Sequence, residues 1–116
     1  MWRKARVLTC EINRITAVPP FAKDFGLKNQ IKRASVSVMS NIAEGFESGS
    51  LRSFVKYLHI AKASLAEVRS QSYVALDARF IQQDPHSEFI RRTEELGRML
   101  RALIRSLTRK IERGNS

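Results

Sequence analysis

Apolar side chains return along most of this chain at alternating steps of three and four, the spacing that gathers them on one side of an α-helix. Ala5, Leu8, Ile12 and Ile15 set the stripe of a first helix over about residues 2–17, with Arg3, Cys10 and Arg14 on its far side. Val18-Pro19-Pro20 ends it, because neither proline donates to the helical ladder and each disfavours helix in the residue before it. Residues 18–25 then read as a loop, with Phe21 and Phe25 folded back as plugs. Asp24 caps a second helix over 25–47, whose stripe is Leu27, Ile31, Ala34, Val38, Ile42 and Phe46. Gly45 and Gly49 mark its exit, and Ser48-Gly49-Ser50 makes the turn. Ser50 caps a third helix over 50–79, with Leu51, Phe54, Leu58, Ala61, Leu65, Val68, Ser72 and Ala75 facing inward. After Gln82-Gln83-Asp84-Pro85, either Asp84 or Ser87 caps a fourth over 86–112. Its buried side is Phe89, Leu96, Leu100, Leu103, Leu107 and Ile111, and Gly114-Asn115-Ser116 reads as a frayed end.

Two further patterns change this picture. Small residues crowd the second helix before its turn (Ala34, Ser35, Ser37, Ser40, Ala43) and recur in the third as Ala61, Ala63, Ser64 and Ala66. Small side chains let two backbones approach closely, so these helices form a tight central hairpin. The third helix also carries a second stripe, Tyr57, Ile60, Ser64, Glu67, Gln71, Val74 and Ala78. A helix with two semi-apolar faces wants partners on both, deep in a bundle or across a subunit contact. In so small a chain the subunit contact is the favoured reading, with Tyr57, Ile60, Ser64, Gln71 and Val74 at the interface. The expected fold is all-α: one domain over residues 1–116, an antiparallel up-down four-helix bundle that oligomerises into a ring.

Composition supports helices and adds a charge argument. With 43% hydrophobic residues, five Gly and three Pro, the chain has material for a core and few turns. A single cysteine, Cys10, rules out an internal disulfide. No apolar run is long enough to span a membrane, and Glu11, Asn13 and Arg14 interrupt any secretory signal, so a cytoplasmic protein with no membrane partner is expected. The net charge of +10 is unevenly spread. Residues 1–33 hold eight Lys/Arg against two acids, 34–90 five against six, and 91–116 eight against three. Basic ends therefore bracket a neutral middle. Where first and last helices are neighbours, their charges form one field that favours a polyanion. Arg91, Arg98, Arg101, Arg105 and Arg109 recur opposite the buried side of the fourth helix, with Arg3, Lys4, Arg6 and Arg14 on the first. Guanidinium forks match phosphate geometry better than ammonium groups do. The plainer alternative is a solvated face partly balanced by Glu94, Glu95 and Glu112.

Little in the chain suggests catalysis, a metal or a cofactor. His59 and His86 fall on different elements, and no Glu-x-x-His pair is present for a di-iron bundle. Glu44 and Glu67 could face each other across the central hairpin, but two lone acids make a poor metal site. Their expected role is structural, satisfied by Asn41, serines or a nearby basic residue. The serines lack an adjacent base, and Gly45-x-x-x-Gly49 lacks the Lys-Ser/Thr of a phosphate loop. No enzyme is expected. Any nucleic-acid binding would be to the phosphate backbone, weakly selective and steeply salt-dependent.

The run Gln30-x-x-Arg33-Ala34-Ser35-Val36-Ser37-x-x-Ser40-Asn41-Ile42-Ala43-Glu44-Gly45, with Ser50-x-x-x-Phe54 and Ile60-Ala61-x-x-Ser64-Leu65-x-Glu67, resembles the bacterial four-helix bundle protein family. This is also called the S23 or 23S rRNA intervening-sequence protein family. The resemblance is strongest over about residues 25–75. It implies an antiparallel left-handed bundle assembled as a ring-shaped homopentamer. It also implies kinship with accessory proteins of diversity-generating retroelements, basic pentameric bundles that bind a reverse transcriptase and its RNA. The family has no settled biochemical activity. The chain departs from the family pattern in a short N-terminus and in Ala63, where relatives often place Gly. The expected function is a non-enzymatic, basic homo-oligomer that binds RNA or another nucleic acid. The alternative is an accessory subunit docking on a reverse transcriptase or other ribonucleoprotein. Asn41, Glu44, Gly45 and Glu67 would be structural in either case.

Overall fold

The computed structural model describes residues 1–114. It contains four helices, α1 (Trp2–Thr16), α2 (Phe25–Glu47), α3 (Leu51–Asp77) and α4 (Gln83–Glu112), with one 3-10 turn at Phe21–Lys23 and no strand among the described residues. Asn115 and Ser116, which close the expected frayed end, lie outside them. Each helix packs on its sequence neighbours and α1 also meets α4, the thinnest of these interfaces, while α2 against α3 is the most extensive. The bundle is elongated, 52 × 22 × 19 Å.

The ends of the helices follow local chemistry. Asp24 accepts from the Leu27 N–H and Ser50 from the Ser53 N–H, the two N-caps the sequence indicates. α3 stops at Asp77, where the Phe80 N–H bonds to the Ala75 carbonyl and the Arg79 N–H to that of Leu76, with Arg79 at φ 62°. This is a Schellman close with arginine in the left-handed position glycine usually fills. It delivers Phe80 onto Phe21, ring centroids 5.1 Å apart. α4 starts at Gln83 rather than near residue 86, and neither Asp84 nor Ser87 caps it; Gln82 is the N-cap, without a side-chain bond. Pro85 falls in the first turn, where its missing N–H has no helical partner to lose, so it is absorbed into the helix.

The core is one continuous cluster in which Ile12, Phe21, Ile31, Ile42, Leu58, Leu65, Leu96 and Leu100 are almost wholly buried. Two expected core residues are exposed, Phe25 at 70% and Phe46 at 56%. Phe25 opens α2 before the helix turns its stripe inward, so Phe21 alone plugs that end. Phe46 ends a run of three four-residue steps from Ala34, and each such step rotates about 40° around a helix with 3.6 residues per turn. Gly45 takes the buried place instead, and Phe46 tilts against Phe54, centroids 4.9 Å apart. A Cβ on Gly45 would stand 2.9 Å from Phe54 Cδ1 and 3.4 Å from Tyr57 Cβ. That is closer than packed carbons sit, so Gly45 sets how near α2 comes to α3.

His86 is buried, its Nε2 3.1 Å from Ser72 Oγ and its ring edge-on to Tyr73. Burial lowers its pKa below the usual 6.5, with Asp77 opposing in part. The unfolded chain therefore binds this proton more readily than the folded one, and stability is lost as pH falls through the window just below 6.5.

Two outcomes are expected in urea denaturation. Gly45→Ala destabilises by about 1–3 kcal/mol despite alanine's better helix propensity, and Gly45→Ala/Phe54→Leu loses less than the two single changes summed. Between about pH 7.5 and pH 5.5 the midpoint falls, and His86→Gln flattens that dependence.

Candidate nucleic-acid interface

α4 is amphipathic end to end. Phe89, Leu96, Leu100, Ile104 and Leu107 are buried, and Arg91, Arg98, Arg101, Arg105 and Arg109 are exposed. Not all nine expected cations are free. Arg91 bonds to Glu88, which also meets Arg92 Nε at 3.4 Å. Arg14 pairs with Glu11 at 2.6 Å within α1, and Lys4 pairs with Glu95 at 2.6 Å across to α4. The Arg91 hydrogen bond holds the Glu88 carboxyl below the usual range, and that of Lys4 does the same for Glu95. Such exposed pairs add little stability, but each cancels a cation. Among the described residues Arg3, Arg6, Arg98, Arg101, Arg105 and Arg109 have no carboxylate in ion-pair reach. Arg6 instead lies over the Trp2 ring at 6.0 Å.

Two shallow grooves run between α1 and α4. One is lined by Arg3, Lys4, Val7, Arg92 and Glu95; the other by Glu11, Arg14, Ile15, Pro85, Glu88, Phe89 and Arg92. The end of α1 thus lies beside the start of α4, and its beginning beside Glu95. With 15 residues against 30, α1 is roughly 22 Å long and α4 roughly 45 Å. The second half of α4, bearing Arg101, Arg105 and Arg109, runs on past α1. The merged field therefore comprises Arg3, Arg92 and Arg98, while the later arginines continue along α4 alone. Sequence reading missed Arg92, which lines both grooves. Its signal is its place on the flank between the buried Phe89 and the outward Arg91. Arg69 on α3 was also missed; it donates from Nε to Thr93 Oγ1 at 3.2 Å, one step off the stripe of Leu65 and Val68.

The polar residues of the central motif gather along the α2–α3 seam. Ser37 Oγ and Ser64 Oγ are 2.8 Å apart, and Asn41 Nδ2 donates to the Ser37 carbonyl at 2.8 Å and to its Oγ at 3.1 Å. Gln30, Arg33, Ala34, Ser37, Ser64, Glu67 and Gln71 line an open groove there, into which the buried Gln71 Oε1 brings no hydrogen bond. Asn41 is satisfied by Ser37 and not by either acid. Glu44 and Glu67 are both exposed, and the Ser37–Ser64 contact fixes a register that separates them. One lies seven residues beyond Ser37 towards the turn and the other three beyond Ser64 away from it, about 15 Å apart along the axis. They neither face each other nor join a hydrogen-bonded network. No group of three metal-ligating side chains forms among the described residues, and no helix there is long and apolar enough to cross a membrane.

Of the five interface candidates, Ser64 is buried against α2, Tyr57 and Gln71 are half-buried, and Ile60 and Val74 are exposed, the latter at 52%. The second stripe of α3 therefore serves the intramolecular seam at Ser64 and leaves Ile60 and Val74 open to solvent, as Val36 is on α2.

Residues 1–102 match the sequence profile of the 23S rRNA-intervening sequence protein family. The fold is similar to a crystal structure of a protein of unknown function from the S23 ribosomal protein family of Bacteroides thetaiotaomicron. The TM-score is 0.83 at 21% identity, over 90% of this chain and 94% of that one. No curated protein matches the chain.

Asn41→Ala is expected to lower stability by about 1 kcal/mol, since it removes two hydrogen bonds from the seam. Glu44→Gln and Glu67→Gln leave the urea midpoint unchanged, because neither acid bonds within the protein.

Proposed function

The chain belongs to the 23S rRNA-intervening sequence protein family, and from that premise we propose that it is a non-enzymatic, basic homo-oligomer that binds RNA chiefly through phosphate contacts. The observation that carries this is the run of Arg98, Arg101, Arg105 and Arg109, exposed along one helix and free of acid partners among the described residues. Arg3 and Arg6 on α1 extend the surface, and Arg92, which shares Glu88 with Arg91, adds to it only in part. Unpaired guanidiniums at intervals of about 5–6 Å along a helix suit successive phosphates and carry no base selectivity. Lys4, Arg14 and Arg91, each already paired, contribute less.

The bundle is antiparallel in this reading. Contacts at 37–64 and 46–54, and at 69–93 and 72–86, support that arrangement, since partner numbers fall as their mates rise. The ring, a homopentamer by family resemblance, uses the α2–α3 side, where Ile60, Val74 and Val36 are open. Self-association there keeps the basic faces of α1 and α4 apart and outward. The protein works in the cytoplasm. A second reading, an accessory subunit docking on a reverse transcriptase or other ribonucleoprotein, is favoured by that same apolar edge, which RNA does not need.

Nuclease-treated protein titrated with single-stranded RNA across salt concentration tests the proposal. Affinity is expected to fall steeply with salt, and Arg98→Glu/Arg105→Glu/Arg109→Glu lowers it and flattens the log–log slope by about 2, roughly 0.7 for each lost phosphate contact. Unchanged affinity in the triple variant would remove the arginine face as the binding surface. No binding at low salt would transfer the case to the protein-docking reading.

A further inference from the structure

Arg101 and Arg69 reach the same point from different helices. A Cβ built on Gly97 would lie 3.2 Å from Arg101 Nη1, 3.6 Å from Arg69 Nη2 and 3.7 Å from Leu65 Cδ2. The two guanidinium nitrogens are therefore no further apart than the first two distances together. Like charges so close repel, and among the described residues no carboxylate bridges them. Arg69 is nonetheless held in place: its Nε donates to Thr93 Oγ1 at 3.2 Å and its Nη2 to the Thr93 carbonyl at 3.5 Å. Thr93 is itself fully buried and donates to the Ile90 carbonyl at 2.7 Å. Arg101, by contrast, makes no hydrogen bond to another side chain among the described residues, and it can close over a ligand.

Gly97 itself calls for an explanation. It sits mid-helix, where glycine is unfavourable, and it is buried at the α3–α4 contact. At Gly45 the missing Cβ makes room for an aromatic ring against the neighbouring helix. At Gly97 the two nearest atoms are the tips of flexible arginines, which alanine could displace at little steric cost. The missing Cβ lets both forks come down against the backbone of α4 at this one point.

We propose that Arg69 and Arg101, converging over Gly97, form a seat for one phosphate group, the phosphodiester of an RNA backbone. This deepens the RNA-binding reading and rests on it. Oxygens of one tetrahedral group accept from both guanidiniums with N–H···O bonds of about 2.8 Å, and the anion relieves the repulsion between them. Arg69 supplies a fixed fork at the α3–α4 seam, whereas Arg98, Arg105 and Arg109 offer mobile charges. The seat thus fixes the register of a bound strand.

The test measures single-stranded RNA affinity and, separately, stabilisation by inorganic phosphate against chloride at matched ionic strength. Arg101→Gln and Arg69→Gln are each expected to weaken RNA binding about tenfold and more than Arg105→Gln does. The double variant should lose little beyond either single change, because both arginines serve one ligand. Arg69→Lys should lose nearly as much as Arg69→Gln, and Gly97→Ala should weaken binding with both arginines still present. Phosphate should raise the melting temperature of the wild type and not of Arg101→Gln. If Arg69→Gln fails to fold, Arg101→Gln and Gly97→Ala carry the test. RNA binding with Arg69, Arg101 and Arg105 variants equal and additive overturns the seat while leaving the basic face standing. No RNA binding, with phosphate stabilisation that depends on Arg101, sinks the RNA reading and leaves an oxyanion seat. No phosphate effect and no loss in Arg101→Gln overturns the inference outright.

Discussion

The distance between α2 and α3 governs the rest of the molecule. Gly45 against Phe54 sets it near the turn, and Ser37 against Ser64 holds it further along, two hydroxyls in direct contact where larger side chains would force the helices apart. With the hairpin this tight, its inner edge needs only Ile31, Val38, Ile42, Leu58 and Leu65 to fill it, and α1 and α4 can lie across the two remaining sides. A wider hairpin would leave Ser37, Ser64 and Asn41 facing unfilled space with fewer partners, and burying polar groups without partners is costly.

That tight hairpin also sorts the charge. Positions on α2 and α3 that face each other are taken by small, neutral or hydroxyl-bearing residues, so the cations of α3, Arg52, Lys56, Lys62 and Arg69, stand off that seam. The outcome along the chain is a nearly neutral middle between two basic ends. Within the basic side the acids are not scattered evenly: Glu95 pairs across to Lys4 on α1 and Glu88 pairs with Arg91 and Arg92 within α4, which leaves the later arginines of α4 unbalanced. Packing and charge placement are thus two results of one sequence pattern.

Most of the architecture was legible in the sequence because its signals are local. Helix α2 begins and ends where Asp24 and Ser48-Gly49-Ser50 indicate, and the inward stripes of α1 and α3 are those of the periodicity. The errors share a cause. Phe46 extended a stripe by repeated steps of four, which follows the residue type but not the rotation of the helix. Phe25 resembles Phe21 in kind but not in place, and Pro85, which the pattern sets just before the fourth helix, occupies its first turn. At the candidate site, the α4 arginines were visible as a pattern, but their pairing was not, since Lys4 with Glu95 joins residues far apart in sequence. Arg69 escaped notice because a single cation near an apolar stripe gives no periodic signal, and only the fold brings it to Arg101. Glu44 and Glu67 were linked by motif and are separated by register.

The order in which the helices pack bears on how the chain assembles. Apart from α1 against α4, the main helix–helix contacts among the described residues join neighbours in sequence across short connections, so little loop-closure entropy is lost at each step. Chains with such local contacts fold early and fast. The hairpin of α2 and α3, with the largest interface, is the natural nucleus, and α4 adds to it directly. The clasp of α1 against α4 spans nearly the whole chain and has the least surface to gain, so it closes last and opens first. The flank of α1 that faces α4, where Arg3 lines the groove, is thus the least firmly closed part of the bundle.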